Sequence, residues 1–397
     1  MKYSSLTQRI TSSPAENETP IDPWAVHNLA MQRVAEGDAI TMLSIGQETD
    51  ETTPELVVDA AVGSLRAGRH HYVDVRGEDK LRAAIAGYHE HLTAQTTDKN
   101  LVTVFTGAQN ALYSVAQALL DVDDEVLLVA PFYTTYEGTF SASGAKAVTV
   151  QVTAADGYTL DVNQLLDAVT DRTRAIVINT PNNPLGGCYT QAQINAIADV
   201  CIARDIWLIM DTVYLDLVAP GTVPIPHKLA GIEKVLVTIG SLSKSHRMTG
   251  WRVGWVIGPA ELARHLGNLS VCMHYGIPPF VQDAAVVAIE QAHTTPQTVR
   301  TVMQERRKLL LQHLDDVSPA KLIDAGQGMF ILLDVEPLGQ SAYDFAMGLL
   351  AAKDVSVLPC DGFGPGGRYL VRIGLCVDGQ YLVSAGRKIC QYIREQS

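Results

Sequence analysis

The sequence contains no run of apolar residues near the roughly 18 that a membrane-spanning helix needs. Its first twenty residues, MKYSSLTQRITSSPAENETP, also lack the apolar segment of a secretory signal. These two absences argue against membrane insertion and secretion. We therefore expect a cytoplasmic protein that does not bind a membrane.

Cysteine is scarce, with six residues in 397, and no two of them form a C-x-x-C pair. Wide spacing of this kind argues against a zinc site or a disulfide framework, and we expect no bound metal. We interpret the cysteines as small apolar residues of the core. They are Cys188, Cys201, Cys272, Cys360, Cys376 and Cys390.

Positive charge is also in short supply, since 30 lysines and arginines face 43 acidic residues and the formal net charge is −13. An acidic chain is a poor partner for nucleic acid or an anionic membrane. A small soluble metabolite is the expected ligand. At 397 residues and 47% hydrophobic, the chain can bury a large core, in one large domain with a smaller companion.

Short β-rich runs alternate with amphipathic segments such as AQNALYSVAQALLD and QAQINAIADVCIARD. Alternation of this kind predicts an α/β fold, with a mostly parallel sheet covered by helices on both faces. The runs predicted as strands are LVTVFTG, EVLLVAP, AKAVTVQV, RAIVINTP, IWLIMD, KVLVTIG and WRVGWVIG.

The pattern changes toward the C-terminus. A long helical stretch through PPFVQDAAVVAIEQ and TPQTVRTVMQERRKLLLQHLDD precedes the short strands GMFILLDV, VSVLP and YLVRIGL. This order predicts a smaller α+β domain over residues 290–397, after a large ligand-binding domain over 51–289. Residues 1–50 are expected to form an N-terminal arm and part of the small domain.

Three polar residues follow predicted parallel strands: Asn183, Asp211 and Lys244. Ligands of open parallel sheets bind at the carboxyl ends of the strands, so these side chains are candidates for one site. Taken singly, Asn183 is equally compatible with a turn, Asp211 with a helix cap and Lys244 with a surface charge. Their combination indicates a ligand site more specifically than any one of them.

A phosphate site is predicted at FTGAQNAL, where a glycine turn opens a helix. The free backbone N–H groups of Ala108 and Gln109 would face an anion there. Ser241, Ser243 and Arg252 add two hydroxyl groups and a cation for the same phosphate. A strand, a glycine and a helix in succession are common, so the turn alone is a weak signal.

Five stretches, in the family's order, carry a resemblance to a known family: FTGAQNAL, NNPLGG, DTVY, SLSKSHRMTGWRVGW and YLVRIGL. The chain resembles the class I/II aminotransferase-like enzymes of the fold type I pyridoxal-phosphate superfamily over residues 40–376. The resemblance implies pyridoxal 5'-phosphate as the cofactor. It also implies the fold of that superfamily, with a mostly parallel large domain and a smaller α+β domain.

The resemblance implies a role for each polar residue around the cofactor ring. Lys244 matches the lysine that holds the cofactor as an imine and then moves the substrate Cα proton. Asp211 matches the carboxylate that keeps the pyridine nitrogen protonated, which makes the ring an electron sink. Asn183 and Tyr214 match the donors to the phenolic oxygen, and Tyr133 matches the aromatic residue stacked on the ring.

Further matches concern the phosphate and the substrate. Tyr72 matches a tyrosine that reaches the phosphate of the neighbouring subunit, which implies a homodimer or a dimer of dimers. Arg372 matches the arginine that grips the substrate α-carboxylate. The residues that match the phosphate cradle are Gly107, Ala108, Gln109, Ser241 and Arg252.

Other stretches, including LSVCMHYGIPPFVQD, are most similar to arginine–pyruvate aminotransferases and to oxygen-using arginine oxidases of the same superfamily. Both groups imply L-arginine as the substrate. A guanidinium group requires carboxylates or aromatic faces. The candidates lie near the N-terminal segment, in and before the loop that begins at Gly46, and are Trp24, His27, Glu48 and Asp50.

The loop itself departs from the family pattern, because IGQETDETTP stands where aminotransferases usually have G-[DN]-P-D-F. Loop drift or a remodelled pocket would explain the change. We take it to favour an O2-dependent arginine oxidase or desaturase, in which a quinonoid formed from the external aldimine passes electrons to dioxygen. The alternative is an arginine–pyruvate aminotransferase that forms 2-ketoarginine, and a carbon–carbon lyase stays open without support.

Overall fold

The structure, a computed structural model, describes residues 4–10, 22, 24–219, 222, 224–226 and 229–396. Within these residues the strands are β1 (Thr41–Met42), β2 (Val102–Phe105), β3 (Glu125–Ala130), β4 (Lys146–Gln151), β5 (Thr173–Asn179), β6 (Trp207–Asp211), β7 (Leu236–Ser241), β8 (Gly254–Ile257), β9 (Lys321–Ile323), β10 (Phe330–Asp334), β11 (Val355–Ser356), β12 (Leu358–Pro359) and β13 (Leu370–Gly374). The α-helices are α1 (Leu6–Arg9), α2 (Ala25–Glu36), α3 (Glu55–Arg66), α4 (Asp79–Thr93), α5 (Ala108–Leu119), α6 (Tyr136–Ser141), α7 (Val162–Asp167), α8 (Gln191–Arg204), α9 (Ala260–Met273), α10 (Pro279–Glu290), α11 (Thr295–Leu311), α12 (Ala342–Lys353) and α13 (Gly379–Gln396).

The strands from β2 to β8 form one sheet in the order β2-β8-β7-β6-β5-β3-β4. Neighbouring strands from β7 to β4 run parallel, and β8 runs antiparallel to both β7 and β2. All seven runs predicted as strands of this sheet are confirmed. Parallel strands β5, β6 and β7 lie side by side, so their carboxyl ends meet at one edge.

The central strands are buried on both faces, as expected for strands between two helical layers. Alternate side chains point to opposite faces, so Val126 and Leu128 pack with Leu112 of α5 on one side of the sheet. Leu127 packs with Ile194 and Ile197 of α8 on the other side. This double burial explains why the strands read as continuous apolar runs.

The C-terminal region contains a four-stranded antiparallel sheet in the order β12-β13-β10-β9. The strands predicted at GMFILLDV and YLVRIGL are confirmed, whereas the single strand predicted at VSVLP is two short strands, β11 and β12, in different sheets. The sequence pattern missed β1 and β9. Thr41 of β1 pairs in parallel with Val355 of β11, so a segment before residue 50 packs against the C-terminal region. The predicted domain boundaries at 50/51 and 289/290 stay predictions.

Two expectations need correction. The long helical stretch is two helices, α10 and α11, separated by residues 291–294. Of the cysteines, Cys201, Cys360, Cys376 and Cys390 are buried, whereas Cys272 is exposed and Cys188 is only partly covered.

Most of the first twenty residues, where an arm was predicted, lie outside the described residues. In the described segment 4–10, Arg9 donates to the carbonyl oxygens of Ser141 and Ala142 beside α6. No helix in the described part of the chain is both long enough and apolar enough to cross a bilayer.

Candidate active site

A cavity of about 480 Å³ opens at the edge where β5, β6 and β7 end. The polar residues that follow these strands converge there because parallel neighbours end at the same edge. Its lining includes the predicted residues Trp24, Gly46, Ala108, Gln109, Tyr133, Asn183, Asp211, Tyr214, Ser241, Ser243, Lys244, Arg252 and Arg372. The structure therefore brings together most of the site predicted from sequence.

Lys244 follows β7 and lies partly buried in this cavity. Its Nζ donates a hydrogen bond of 2.7 Å to the carbonyl oxygen of Gly46. Burial lowers the pKa of Lys244 to about 8, and the positive charges of Arg372 and Arg252 act in the same direction. A large fraction of this amine is consequently neutral at mildly alkaline pH, the form that attacks a carbonyl group or accepts a proton.

Asp211 ends β6 and is also buried. Its carboxylate accepts hydrogen bonds from the Tyr136 hydroxyl at 2.5 Å and from the Val213 backbone N–H at 3.2 Å. Burial raises the pKa of Asp211 to about 6, against the effect of these two donors. A buried carboxylate at the bottom of the cavity is suited to a cationic ligand atom.

Tyr136 was missed by sequence reasoning, although it lies three residues after Tyr133 in the same motif. Tyr133 lies just before α6 and Tyr136 is the first residue of that helix, and their rings pack edge-on with 6.1 Å between centroids. Burial raises the pKa of Tyr136 well above its ordinary value, so this hydroxyl stays protonated and donates to Asp211. The three-residue spacing from Tyr133 was the sequence signal that could have identified Tyr136.

Asn183, Tyr214 and Arg372 form a buried hydrogen-bonded chain. Asn183 donates from Nδ2 to the Tyr214 hydroxyl at 3.0 Å and accepts at Oδ1 from Arg372 Nη1 at 2.9 Å. Arg372 also donates from Nη2 to the Ser44 carbonyl oxygen at 2.9 Å. This chain extends from the neighbourhood of Asp211 to β13 in the C-terminal sheet.

The Arg372 guanidinium is buried without a carboxylate partner among the described residues. Its centre lies 4.0 Å from the centroid of the Phe330 ring, a second residue that sequence reasoning missed. The Arg372 Nε has no hydrogen-bond partner within the described chain. A buried cation of this kind is a binding site for an anion such as a substrate carboxylate.

The predicted phosphate cradle lies where β2 turns into α5. Gly107 has φ +88°, and a Cβ atom there would lie 2.2 Å from Arg252 Nη2, so the close approach requires glycine. The Arg252 Nη1 donates to the Thr249 carbonyl oxygen at 2.7 Å, which orients its guanidinium. Ser241 Oγ lies 2.9 Å from Ser243 Oγ, and both line the same cavity.

The Gln109 side chain does not extend into the cradle, because it bonds Thr139 and Thr135 in the neighbouring helical segment. Its backbone N–H, with that of Ala108, is the group at the helix start. The site thus combines backbone donors, two hydroxyl groups and an arginine at one end with Asp211 and Lys244 at the other. This donor set fits a phosphorylated aromatic cofactor with a basic ring nitrogen and an aldehyde.

Tyr72 and His27 do not line the cavity in this chain. The Tyr72 side chain is 85% exposed and its ring packs edge-on against Tyr275 at 5.0 Å between centroids. His27 shares a hydrogen bond of 2.8 Å between Nδ1 and Ser44 Oγ and packs edge-on against Trp24. Trp24 is the member of this group that reaches the cavity.

Glu48 and Asp50, predicted to bind a guanidinium group of the substrate, are paired with arginines of this chain in the structure. Glu48 accepts from Arg247 Nε at 2.6 Å and from Arg306 Nη1 at 3.4 Å, and Asp50 pairs with Arg306. Neither carboxylate lines the cavity beside Asp211. These two of the three acidic residues of the altered loop thus neutralise arginines of this chain, and Glu48 also lines a second cavity next to the first.

Comparisons with known proteins bear on the whole chain. The family described as aminotransferase class I and II matches residues 39–385. The arginine–pyruvate transaminase AruH of Pseudomonas aeruginosa is 42% identical over 98% of this chain and 97% of its own length. The aspartate aminotransferase of Bacillus subtilis is 28% identical over 96% of this chain and 98% of its own length.

Solved structures give the same result for the fold. The Thermus thermophilus aspartate aminotransferase with maleate superposes with a TM-score of 0.90 at 26% identity, covering 99% of this chain and all of the other. The fold is that of the fold type I pyridoxal-phosphate enzymes, as the motifs implied, and the cofactor is pyridoxal 5'-phosphate. The chain belongs to the class I and II aminotransferases.

Proposed function

We propose that this enzyme transfers the amino group of L-arginine to pyruvate, forming 2-ketoarginine and alanine. The observation that carries the proposal is the 42% identity to an arginine–pyruvate transaminase across almost the full length of both chains. The aspartate and aspartate/prephenate aminotransferases in the comparison are 25 to 30% identical. Likeness of this extent over the whole chain supports a shared substrate class as well as a shared fold.

The residues around the cavity are suited to hold the cofactor. Asp211 would pair with the ring nitrogen, Asn183 and Tyr214 would bond the phenolic oxygen, and Tyr133 would stack on the ring. When bound, the cofactor supplies an electron sink for the electron pair released at the substrate Cα. The groups suited to the phosphate are the backbone N–H groups at Ala108 and Gln109, the hydroxyls of Ser241 and Ser243, and the Arg252 guanidinium.

Two residues would act on the substrate itself. Arg372 would bind the α-carboxylate, because it is a buried cation with an unpartnered Nε in the described chain. Lys244, once released from the cofactor, would accept the substrate Cα proton at Nζ and then donate a proton to the cofactor carbon that was bonded to the lysine. Its pKa of about 8 suits that task, since the amine gains and loses a proton near neutral pH.

The charges of the site favour a substrate without a second carboxylate. A further cavity of about 790 Å³ adjoins the first at Lys244. The basic residues that line the two cavities within the described chain are Lys244, Arg247, Arg252 and Arg372. Arg247 is neutralised by Glu48, and the other three serve the cofactor or the α-carboxylate. Among the described residues that line the two cavities, no further cation is left to bind an acidic side chain.

The oxidase or desaturase reading gains no support. It depended on the acidic loop that begins at Gly46, and the ion pairs of Glu48 and Asp50 with Arg247 and Arg306 give that loop a different role. The comparisons favour the alternative, an arginine–pyruvate aminotransferase. Dioxygen is therefore not part of the proposed reaction.

We also propose a homodimer in the cytoplasm, with a dimer of dimers still open. The exposed ring of Tyr72 supports the dimer, because its predicted partner is the phosphate in the neighbouring subunit. Apolar side chains exposed on α3 and near Tyr72 support it further. They are Leu56, Val58, Val62, Leu65, Val271 and Tyr275.

The substrate assignment is tested by assaying purified holoenzyme with L-arginine, with and without pyruvate and in air or under nitrogen. Mass spectrometry would detect 2-ketoarginine and alanine, and an oxygen electrode would detect oxidation. We expect turnover that requires pyruvate and is the same without oxygen. With L-aspartate as the donor, we expect kcat/KM to be at least about 100-fold lower. Product formation that requires oxygen and ignores pyruvate would contradict the proposal.

A further inference from the structure

Residues 46–53 form several hydrogen bonds with the loop that carries Lys244. Besides the contact of Gly46 with the lysine amine, Thr53 Oγ1 donates to the Arg247 carbonyl oxygen at 2.8 Å. The Trp251 indole Nε1 donates to the same Thr53 hydroxyl at 2.9 Å. We refer to residues 46–53 as the clamp segment. Its contacts hold the loop on both sides of Arg247.

Glu48 is the charged centre of this arrangement. Its carboxylate accepts from Arg247 at Nε and Nη2, at 2.6 and 3.3 Å, and from Arg306 of α11 at 3.4 Å. The Glu48 side chain is only 3% exposed. Buried charges are unfavourable unless they are paired and hydrogen-bonded, so the three groups constrain one another's positions. One carboxylate thus joins the lysine loop to a helix of the C-terminal region.

The backbone of Arg247 has an unfavourable conformation that its neighbours must stabilise. Arg247 has φ +56°, a left-handed conformation that is unfavourable for a residue with a Cβ atom. Such a conformation persists where the surroundings over-determine it. Here the side chain is held by Glu48 and the carbonyl oxygen by Thr53. The turn lies three residues after Lys244, so its shape sets the direction of the lysine.

We propose that Glu48 is a positioning residue for Lys244: through Arg247 it keeps the Gly46 carbonyl against the lysine amine, and through Arg306 it ties that contact to α11. This inference rests on the proposed role of Lys244 as the cofactor-bearing lysine and not on the identity of the substrate. It also gives a structural reason for the acidic loop GQETD. In this proposal the Glu48 carboxylate acts through the arginines with which it pairs, and not as the partner of a substrate group.

The proposal predicts the direction in which the pKa of the lysine nitrogen moves when Glu48 is removed. The charged and titratable groups that act on Lys244 are Arg372 of β13, Arg252, and Cys376 after β13, with Asp211, Tyr133 and Tyr214 in the same cavity. The Gly46 carbonyl oxygen accepts a hydrogen bond from the lysine nitrogen, and such an acceptor stabilises a proton there. Loss of Glu48 would weaken this contact. The nitrogen should then lose its proton at lower pH.

The test is a pH titration of the visible absorbance of purified holoenzyme without substrate, which follows the proton on the nitrogen that Lys244 shares with the cofactor. For Glu48→Gln we expect the midpoint to fall by about 0.5 to 1 pH unit. We expect kcat to fall about 10- to 100-fold while KM changes less than about threefold. Glu48→Asp should recover part of both losses.

Asp50→Asn is the matched control, because Asp50 also pairs with Arg306 but has no bond to Arg247. We expect its midpoint to move less than half as far. An equal shift in the two variants, or no fall in Glu48→Gln, would overturn the proposal. Where Glu48→Gln does not fold, Thr53→Val decides, since it removes a hydroxyl and no charge. A lower midpoint in Thr53→Val would support positioning of Lys244 by the clamp segment, and an unchanged midpoint would overturn it.

The cofactor-bearing role of Lys244 is tested separately. Borohydride reduction of the holoenzyme followed by peptide mass spectrometry identifies the lysine that carries the cofactor. A label on another lysine would contradict the role of Lys244 and, with it, this inference. A label on Lys244 with no shift in Glu48→Gln would contradict the positioning role alone.

Discussion

Burial moves the acid and the base of the site in opposite directions. It raises the pKa of Asp211 to about 6 and lowers that of Lys244 to about 8, because each loses solvation of its charged form. Without the cofactor, ionised Asp211 is therefore an unfavourable buried charge. A ligand cation that pairs with it removes that penalty, which links cofactor binding to stability.

The first prediction concerns the stability of the apoenzyme. The folded chain binds the Asp211 proton more tightly than the unfolded chain, whose pKa is near 3.8. Stability is therefore lost as the pH rises from about 4 to about 6, and the loss is complete above that range. Asp211→Asn should raise the free energy of unfolding of the apoenzyme by roughly 1–3 kcal/mol at pH 8. At pH 5, midway through that range, the gain should be about half as large.

Urea unfolding of the two apoenzymes at pH 5 and pH 8 measures this difference. Asp216→Asn is the matched control, because Asp216 is also buried, accepts from a tyrosine, Tyr88, and has its pKa raised to about 6 by burial. It should stabilise in the same way without changing cofactor affinity, whereas Asp211→Asn should weaken binding of the cofactor. A gain in Asp211→Asn that is equal at both pH values would contradict the assignment.

At the scale of elements, the junction between β2 and α5 shows how a local pattern makes a site. The strand ends, Gly107 turns the chain with φ +88°, and α5 begins with N–H groups that have no partner within the helix. Gly254 of β8 approaches the same turn, since a Cβ there would lie 2.4 Å from the Ala108 nitrogen. Two glycines thus bring the arginine and the helix start together.

The second prediction concerns this junction. In Gly107→Ala the new Cβ would lie 2.2 Å from Arg252 Nη2 and displace the guanidinium, so we expect cofactor affinity to fall about 10-fold or more. Absorbance titration of the apoenzyme with pyridoxal phosphate measures it. Gly157→Ala controls for backbone strain, because Gly157 also has positive φ but no neighbour within 4 Å. Equal losses of affinity would show that strain, and not the cradle, is responsible.

At the scale of the whole molecule, one face of α3 is apolar and exposed. Val58, Val62 and Leu65 follow helical spacing, so they form a stripe on one side of the helix. The other side of α3 packs on α10 through residues such as Val57 and Ala61. A helix that is apolar on both sides is typical of an element between the core and a partner.

The third prediction is that Val62→Glu disrupts the homodimer and lowers activity about 10-fold or more, because it places a charge in the proposed interface. Light scattering and activity measured on the same sample check both effects. Val34→Glu on α2 is the control, since Val34 is 40% exposed against 36% for Val62. A fully active wild-type monomer would contradict the dimer. Mixing Tyr72→Phe and Lys244→Ala proteins should restore some activity if sites are shared.

Local patterns in the sequence were enough for the strands of the large sheet and for most of the cavity lining. Strand runs and glycine turns are short-range features, and parallel strands end at one edge, so Asn183, Asp211 and Lys244 could be assigned to a common site in advance. The motifs added Arg372 and the cofactor. These features depend on residues a few positions apart or on the direction of a strand.

The partners of charged groups were decided by the tertiary structure. Glu48 meets Arg247 and Arg306 across 199 and 258 residues, and Tyr136 meets Asp211 across 75. No period or spacing in the sequence relates such positions, because chain packing alone brings them together. A carboxylate beside a substrate pocket and one beside a buried arginine look alike in sequence. Desolvation and the nearest cation determine whether Glu48 binds a substrate or holds the catalytic loop.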